Sequence, residues 1–145
     1  MANRTFDHRT FDLGRILAFD YGEEMPTDPG VKFFVKTNGV PSVLYGAPIE
    51  VKESRKLEEK DLDQMLYVES DNDIIITIPT DEAVLFPVGA EIEIYRAGAG
   101  AVTVAADDGV TIQCYVPGRS VYGQYASVFL KKAKANTWIL QGMIG

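Results

Sequence analysis

Apolar and polar positions alternate with a strand period over most of the chain. Ile74-Ile75-Ile76-Thr77-Ile78 is a β-branched run stopped by Pro79. From Ala90 to Tyr95, Ile92 and Ile94 alternate with Glu91 and Glu93, which predicts a strand with one buried and one wet face. Further strands are expected at Met65 to Glu69, Ala101 to Ala105, Val110 to Val116, Tyr125 to Ala133 and Trp138 to Gln141. Turns fall at Ala97-Gly98-Ala99-Gly100, at Asp107-Asp108-Gly109 and at Asn136. Short strands at this spacing predict an all-β fold, an antiparallel β-sandwich or barrel-like body. Ile75 and its neighbours put apolar groups on both faces of one strand, so cover is expected on both sides, a partner subunit being one source.

The pattern before residue 50 is different. Leu13 to Phe19 and Val31 to Lys36 read as strands, separated by a loop rich in breakers at Gly22 to Gly30. Asn38-Gly39 is a strong hairpin signal, because a type I′ turn needs positive φ at both central residues. The return strand, Pro41 to Tyr45, belongs on an edge, since proline cannot donate to a ladder. Upstream, Arg4-Thr5-Phe6-Asp7 is echoed by Arg9-Thr10-Phe11-Asp12. A period of five matches neither a strand nor a helix face. Two readings stand side by side: an extended arm whose Phe6 and Phe11 dock on a neighbour, or an ordinary irregular terminus. Between Ile49 and Gln64 the pattern fits a strand followed by a single helical turn with Asp61 as its N-cap. The expected organisation is an N-terminal arm and hairpin over residues 1–50 and a β body over 51–145.

Composition narrows the chemistry. The chain has 145 residues, 46% hydrophobic and 24% charged, which fits a folded domain rather than a disordered one. No apolar run reaches the ~18–20 residues of a membrane span, and the start has no apolar h-region of a secretory signal. Net charge is −7, a balance that disfavours phosphate neutralisation and hence nucleic-acid binding. Residues 50–73 concentrate the acid, with 4 basic and 9 acidic side chains. The one basic cluster, Lys131, Lys132 and Lys134, reads as a solvated strand face.

One Cys and one His leave little for catalysis or metal binding. Cys114 has no partner for a disulfide and reads as a small buried hydrophobe. A structural zinc site needs about four ligands. A nucleophilic triad would depend on His8, in a polar stretch ill suited to preorganise a base. Gly98-Ala99-Gly100 lacks the third glycine and the following helix of a dinucleotide loop. Asp71-Asn72-Asp73 lacks the offsets of a calcium loop, and Asp107-Asp108-Gly109 is turn chemistry. Glu23-Glu24 and Glu58-Glu59 are adjacent pairs, whereas glycoside hydrolysis needs carboxyls facing across a cleft. The expectation is a protein that is not an enzyme and has no cofactor and no metal.

The stretch from about Leu57 to the C-terminus resembles a β-rich module of tailed-bacteriophage virion proteins, of the tail-fibre or appendage kind. The matching pieces run in order through Met65-Leu66-Tyr67-Val68-Glu69, Ile76-Thr77-Ile78-Pro79 and Phe86-Pro87-Val88-Gly89. They continue through Gly98-Ala99-Gly100 with Val102-Thr103-Val104-Ala105-Ala106, Gly109-Val110-Thr111-Ile112 and Gly123-Gln124-Tyr125-Ala126-Ser127 to Asn136-Thr137-Trp138-Ile139-Leu140-Gln141-Gly142. The resemblance implies a virion structural or adhesion role, commonly in oligomers, after synthesis in the host cytoplasm. With no heptads or shaft repeats for a stalk, the expected role is a capsid decoration or cement protein. It would act as a homotrimer on the major capsid protein, with Phe6, Phe11, Phe33 and Phe34 as particle-binding anchors. The alternative is a short tail-fibre or receptor-binding module among tail proteins, meeting the host through distal loops including Pro117-Gly118-Arg119 and Asp107-Asp108, with Tyr115, Tyr122 and Trp138 as the nominal aromatic candidates. Trp138 reads as a core residue.

Overall fold

The computed structural model describes the strands Ile16–Asp20, Lys32–Thr37 and Val40–Val43 and the continuous stretch 47–145. Contacts divide the chain into two compact units, Met1–Gly46 and Ala47–Gly145.

In the first unit β1 (Ile16–Asp20), β2 (Lys32–Thr37) and β3 (Val40–Val43) form a three-stranded sheet in that order. β2 and β3 are antiparallel with Thr37 opposite Val40, so two residues, Asn38 and Gly39, separate them, as the hairpin signal predicts. Pro41 lies in β3 at the sheet edge, where its missing N–H leaves no ladder bond unmade. β1 joins β2 in parallel.

The second unit is strand-rich, and the only helical element among the described residues is one 3-10 turn at Glu59–Asp61. Its strands are β4 (Ile49–Val51), β5 (Arg55–Lys56), β6 (Met65–Val68), β7 (Ile74–Ile78), β8 (Glu91–Arg96), β9 (Val102–Ala106), β10 (Thr111–Cys114), β11 (Ser127–Lys134) and β12 (Thr137–Gly142). The chain crosses from one sheet to the other after each of the first six. A six-stranded sheet has the order β10-β12-β11-β8-β6-β4, and a three-stranded sheet the order β5-β7-β9. Successive strands in each sheet therefore run the same way: β4, β6 and β8 are parallel, and so are β5, β7 and β9. The path is a spiral of three coils, each giving one strand to each sheet. Only after β10 does the chain make a hairpin, β11–β12, which returns antiparallel beside β8.

The antiparallel body expected from the sequence is thus corrected to mixed, mainly parallel pairing, in sheets that are not closed. Turn residues announce where a strand ends, not which strand it joins. The turn expected at Ala97-Gly98-Ala99-Gly100 is present as a corner between the two sheets. The region 49–64 also differs in detail. It holds two short strands, and Asp61 closes the 3-10 turn at its third position, accepting the Glu58 N–H at 2.8 Å, rather than opening it as N-cap.

Alternation puts the core where the two sheets share it. Leu66, Val68, Ile92, Ile94, Val128 and Leu130 from the large sheet and Ile74, Ile76, Ile78, Val102 and Val104 from the small one belong to a single buried cluster. Ile75 departs from expectation: it points away from that cluster and is 47% exposed, so β7 is covered on one face only within the described residues. Trp138 is in the core at 1% exposure, with Phe86 against it edge-to-face at 5.5 Å. Cys114 is half-buried rather than fully so.

Candidate functional site

Two charged pairs are built into the body. Lys132 is the first. Alternation along β11 turns Val128, Leu130 and Lys132 inward, and Lys132 is only 2% exposed. The solvated lysine face expected from sequence holds for Lys131 and Lys134 but not for this residue. Its Nζ donates to Asp81 Oδ1 at 2.7 Å and to the Phe86 carbonyl at 2.6 Å. Asp81 Oδ2 accepts the Asn136 N–H at 2.9 Å, and the Asp81 N–H donates to Asn136 Oδ1 at 2.8 Å. Burial pushes the Asp81 carboxyl up, but the Lys132 hydrogen bond, the Asn136 N–H and the Lys132 charge together outweigh it and hold it below its ordinary value. The second pair is Arg55 and Asp61, a bidentate contact at 2.7 and 2.8 Å onto a fully buried carboxylate. That hydrogen bond leads in raising the Arg55 guanidinium above its ordinary value, against the opposing effect of burial. Both pairs close on groups of the fold and serve the fold.

The features turned toward solvent are apolar. Tyr122, Tyr125, Phe129 and Met143 are all exposed and lie on segments whose main chains meet at the open end of the β11–β12 hairpin. The Tyr122 N–H donates to the Met143 carbonyl at 2.8 Å, and the Met143 N–H donates to the Ser127 carbonyl at 3.0 Å. The C-terminus is pinned alongside: the Gly145 N–H donates to the Ser120 carbonyl at 3.0 Å, so close to Tyr122 that a Cβ on Gly145 would lie 2.9 Å from the ring. Tyr125 is in the left-handed region, at φ 68°, where a side chain is rarely tolerated. Its N–H bond to the Arg96 carbonyl at 2.6 Å and the Gln124 Nε2 bond to the Ala97 carbonyl at 2.9 Å hold it there. Gln124-Tyr125 therefore forms a bend before β11 instead of starting the strand. Leu85 and Val88 add exposed apolar groups on the loop that carries Asp81. In Phe86-Pro87-Val88-Gly89 the bend expected from sequence is present, with Gly89 at φ 93° and the Ala90 N–H donating to the Pro87 carbonyl at 3.0 Å.

The anchoring expectation for Phe6 and Phe11 lies outside the described residues. Phe33 and Phe34 fall in β2, paired in register with Leu17 and Ala18 of β1. Among the described residues no group of three or more His, Cys, Asp or Glu is placed to hold a metal ion. Asp73 instead accepts the Ala101 N–H at 2.9 Å, and Asp107 accepts a bond from Lys56 Nζ at 2.6 Å. No helix of the described residues is long and apolar enough to cross a membrane.

Of the exposed group Tyr122, Tyr125, Phe129 and Met143, sequence reasoning named Tyr122 as a contact candidate and missed the other three, because apolar residues inside or beside a strand pattern read as core. Lys132 was legible in principle: two residues beyond Leu130, strand parity puts it on the buried face. No family model, curated protein or solved structure matches the chain.

Proposed function

We propose that the protein is a structural component of a bacteriophage particle, a capsid decoration protein that binds the assembled head shell by surface contact rather than by catalysis. The observation that carries this reading is the exposed apolar shelf of Tyr122, Tyr125, Phe129 and Met143 on a body whose core is otherwise closed. Large apolar groups clustered at a surface serve association more than solubility. The resemblance of residues 57–145 to a virion module supplies the kind of partner, the major capsid protein. Binding only the assembled shell stabilises that state by mass action, and repetition in an oligomer, a trimer on this reading, multiplies it. Phe6, Phe11, Phe33 and Phe34 anchor the chain to the particle. That the two sheets of the body face one another as layers of a sandwich is part of the same reading, supported by their shared core.

Copy number per particle tests it. Purified particles of the phage whose genome carries this sequence are quantified by mass spectrometry against the major shell protein. A number equal to the shell subunit, or a simple fraction of it, is expected. A small number matching tail symmetry moves the chain to the tail and makes host contact the better reading. Absence from particles ends both.

A further inference from the structure

A sheet edge presents unpaired main-chain donors and acceptors, and proteins blunt it with brevity, charge or proline. Most edges here are blunted in those ways. β4 has three residues including Glu50 and runs into Lys52 and Glu53; β5 consists of Arg55 and Lys56; β3 contains Pro41. β10 is different. It ends the six-stranded sheet, and no charge occurs from Val110 to Gly118 in a chain of net charge −7. Val110-Thr111-Ile112-Gln113-Cys114-Tyr115-Val116 is also rich in β-branched and aromatic residues, a composition that favours strand pairing. The Thr111 N–H donates to the Asn136 carbonyl at 2.8 Å. Main-chain direction alternates along a strand, so Thr111 and Gln113 face β12 while the N–H and C=O of Ile112 and Cys114 face the free edge. Among the described residues no main-chain group bonds to that side. Beside it, Tyr115 is 100% exposed, with nothing in the fold to account for an aromatic there.

We propose that β10 is a self-association edge: it pairs antiparallel with β10 of a second copy about a two-fold axis at Gln113, joining two six-stranded sheets. Charge selects this occupant. Two copies of net charge −7 repel wherever acidic surfaces meet, and this edge lets strands join without bringing charges together. Parity agrees with it. With Gln113 on the axis, Ile112 meets Cys114 of the second copy, so the edge groups that face outward bond one another. Extending the pairing by one residue past the end of β10 sets Thr111 across from Tyr115 of the second copy, a β-branched–aromatic pair that gives the exposed ring a partner. The two-fold makes the contact isologous and closed. It goes beyond the proposed function, adds a two-fold contact that would join two trimers of that reading, and holds whether or not the chain is a virion protein.

Disulfide trapping in the full-length chain tests it. On the axis, two Gln113 Cα atoms form a non-hydrogen-bonded pair roughly 4.5 Å apart, within disulfide range. Gln113→Cys in a Cys114→Ala background is expected to oxidise to a covalent dimer of twice the 16.0 kDa chain mass, while Glu50→Cys in the same background, at the β4 edge, does not. Independently, Thr111→Lys with Gln113→Lys, both at exposed positions, should weaken self-association in sedimentation equilibrium by roughly ten-fold or more, at a melting temperature unchanged under dilution to the monomer. Cross-linking at 113 no greater than at 50 overturns the proposal. So does a monomer at all concentrations, or an assembly, trimeric or other, that is indifferent to the two lysines. Cross-linking of residue 113 to a different protein only would make the edge a heterologous site and equally refute self-pairing.

Discussion

Lys132 shows how one side chain couples a loop to a sheet. A buried ammonium loses several kcal/mol of hydration, and the loss is repaid only by close, complete pairing. Here Asp81 and the Phe86 carbonyl supply that pairing from a loop that is otherwise exposed at Leu85 and Val88. The partners are not equivalent, because the Asp81 side chain is 17% exposed and that of Lys132 only 1%. Asp81→Ala strands the cation in the core and also frees the Asn136 N–H, so it should cost about 3–5 kcal/mol in urea unfolding. Lys132→Met leaves a carboxylate that water reaches and fills the site with apolar volume, so it should cost distinctly less. Equal costs, or the reverse order, would show that the pair is not the fastener. Acid gives a second reading of the same contact. The Asp81 carboxyl lies below its ordinary 3.8 in the fold, so its contribution is complete above about pH 4 and is lost as pH falls through the lower native value. The stability gap between wild type and Asp81→Ala should narrow below that pH and stay constant above it.

At the scale of elements, the corners between sheets matter as much as the strands. The turn after β8 lies directly on the turn after β6: the Ala97 and Gly98 N–H groups donate to the Val68 carbonyl at 2.8 and 3.1 Å, and the Gly100 N–H donates to the Ser70 carbonyl at 2.9 Å. A Cβ on Gly98 would overlap the Ser70 main chain, and one on Gly100 the Asn72 carbonyl. These glycines exist for the close approach of two coils, not for a ligand. Gly98→Ala or Gly100→Ala must push the coils apart and should cost about 3 kcal/mol or more. Gly123→Ala, with open space around it, should change thermal stability by no more than about 0.5 kcal/mol. A mild Gly98→Ala would mean that the coils slide freely. The same corners explain what could be read from sequence. Ile74–Ile78 is a strand at the residues its β-branched run marks, and the alternation of 91–94 has the expected faces. Parallel pairing was not legible, because Val68 and Ala97 meet across 29 positions of sequence and no local residue type records that contact.

For the whole molecule, the question is where stability and binding reside. Among the described residues, every member of the buried cluster lies between Val51 and Leu140, and Ile144 and Gly145 are fastened by the Val121–Ile144 bridge and the Gly145–Ser120 hydrogen bond. Ala47–Gly145 is one of the two compact units of the chain. Residues 47–145 should therefore fold alone and unfold in one cooperative transition. Trp138 is the natural reporter, since its buried indole passes from the Phe86 contact into water on unfolding. A non-cooperative melt, or tryptophan emission typical of water in the native fragment, would place part of the core's support in the first unit. The folded fragment also separates the two surfaces that the proposed function employs. Loss of particle binding with the fold intact assigns attachment to the first 46 residues, where Phe6, Phe11, Phe33 and Phe34 lie. Binding as strong as that of the full chain transfers attachment to Tyr122, Tyr125, Phe129 and Met143, which the fragment keeps. The two results exclude one another because a fragment that folds presents the second surface unchanged and lacks the first altogether.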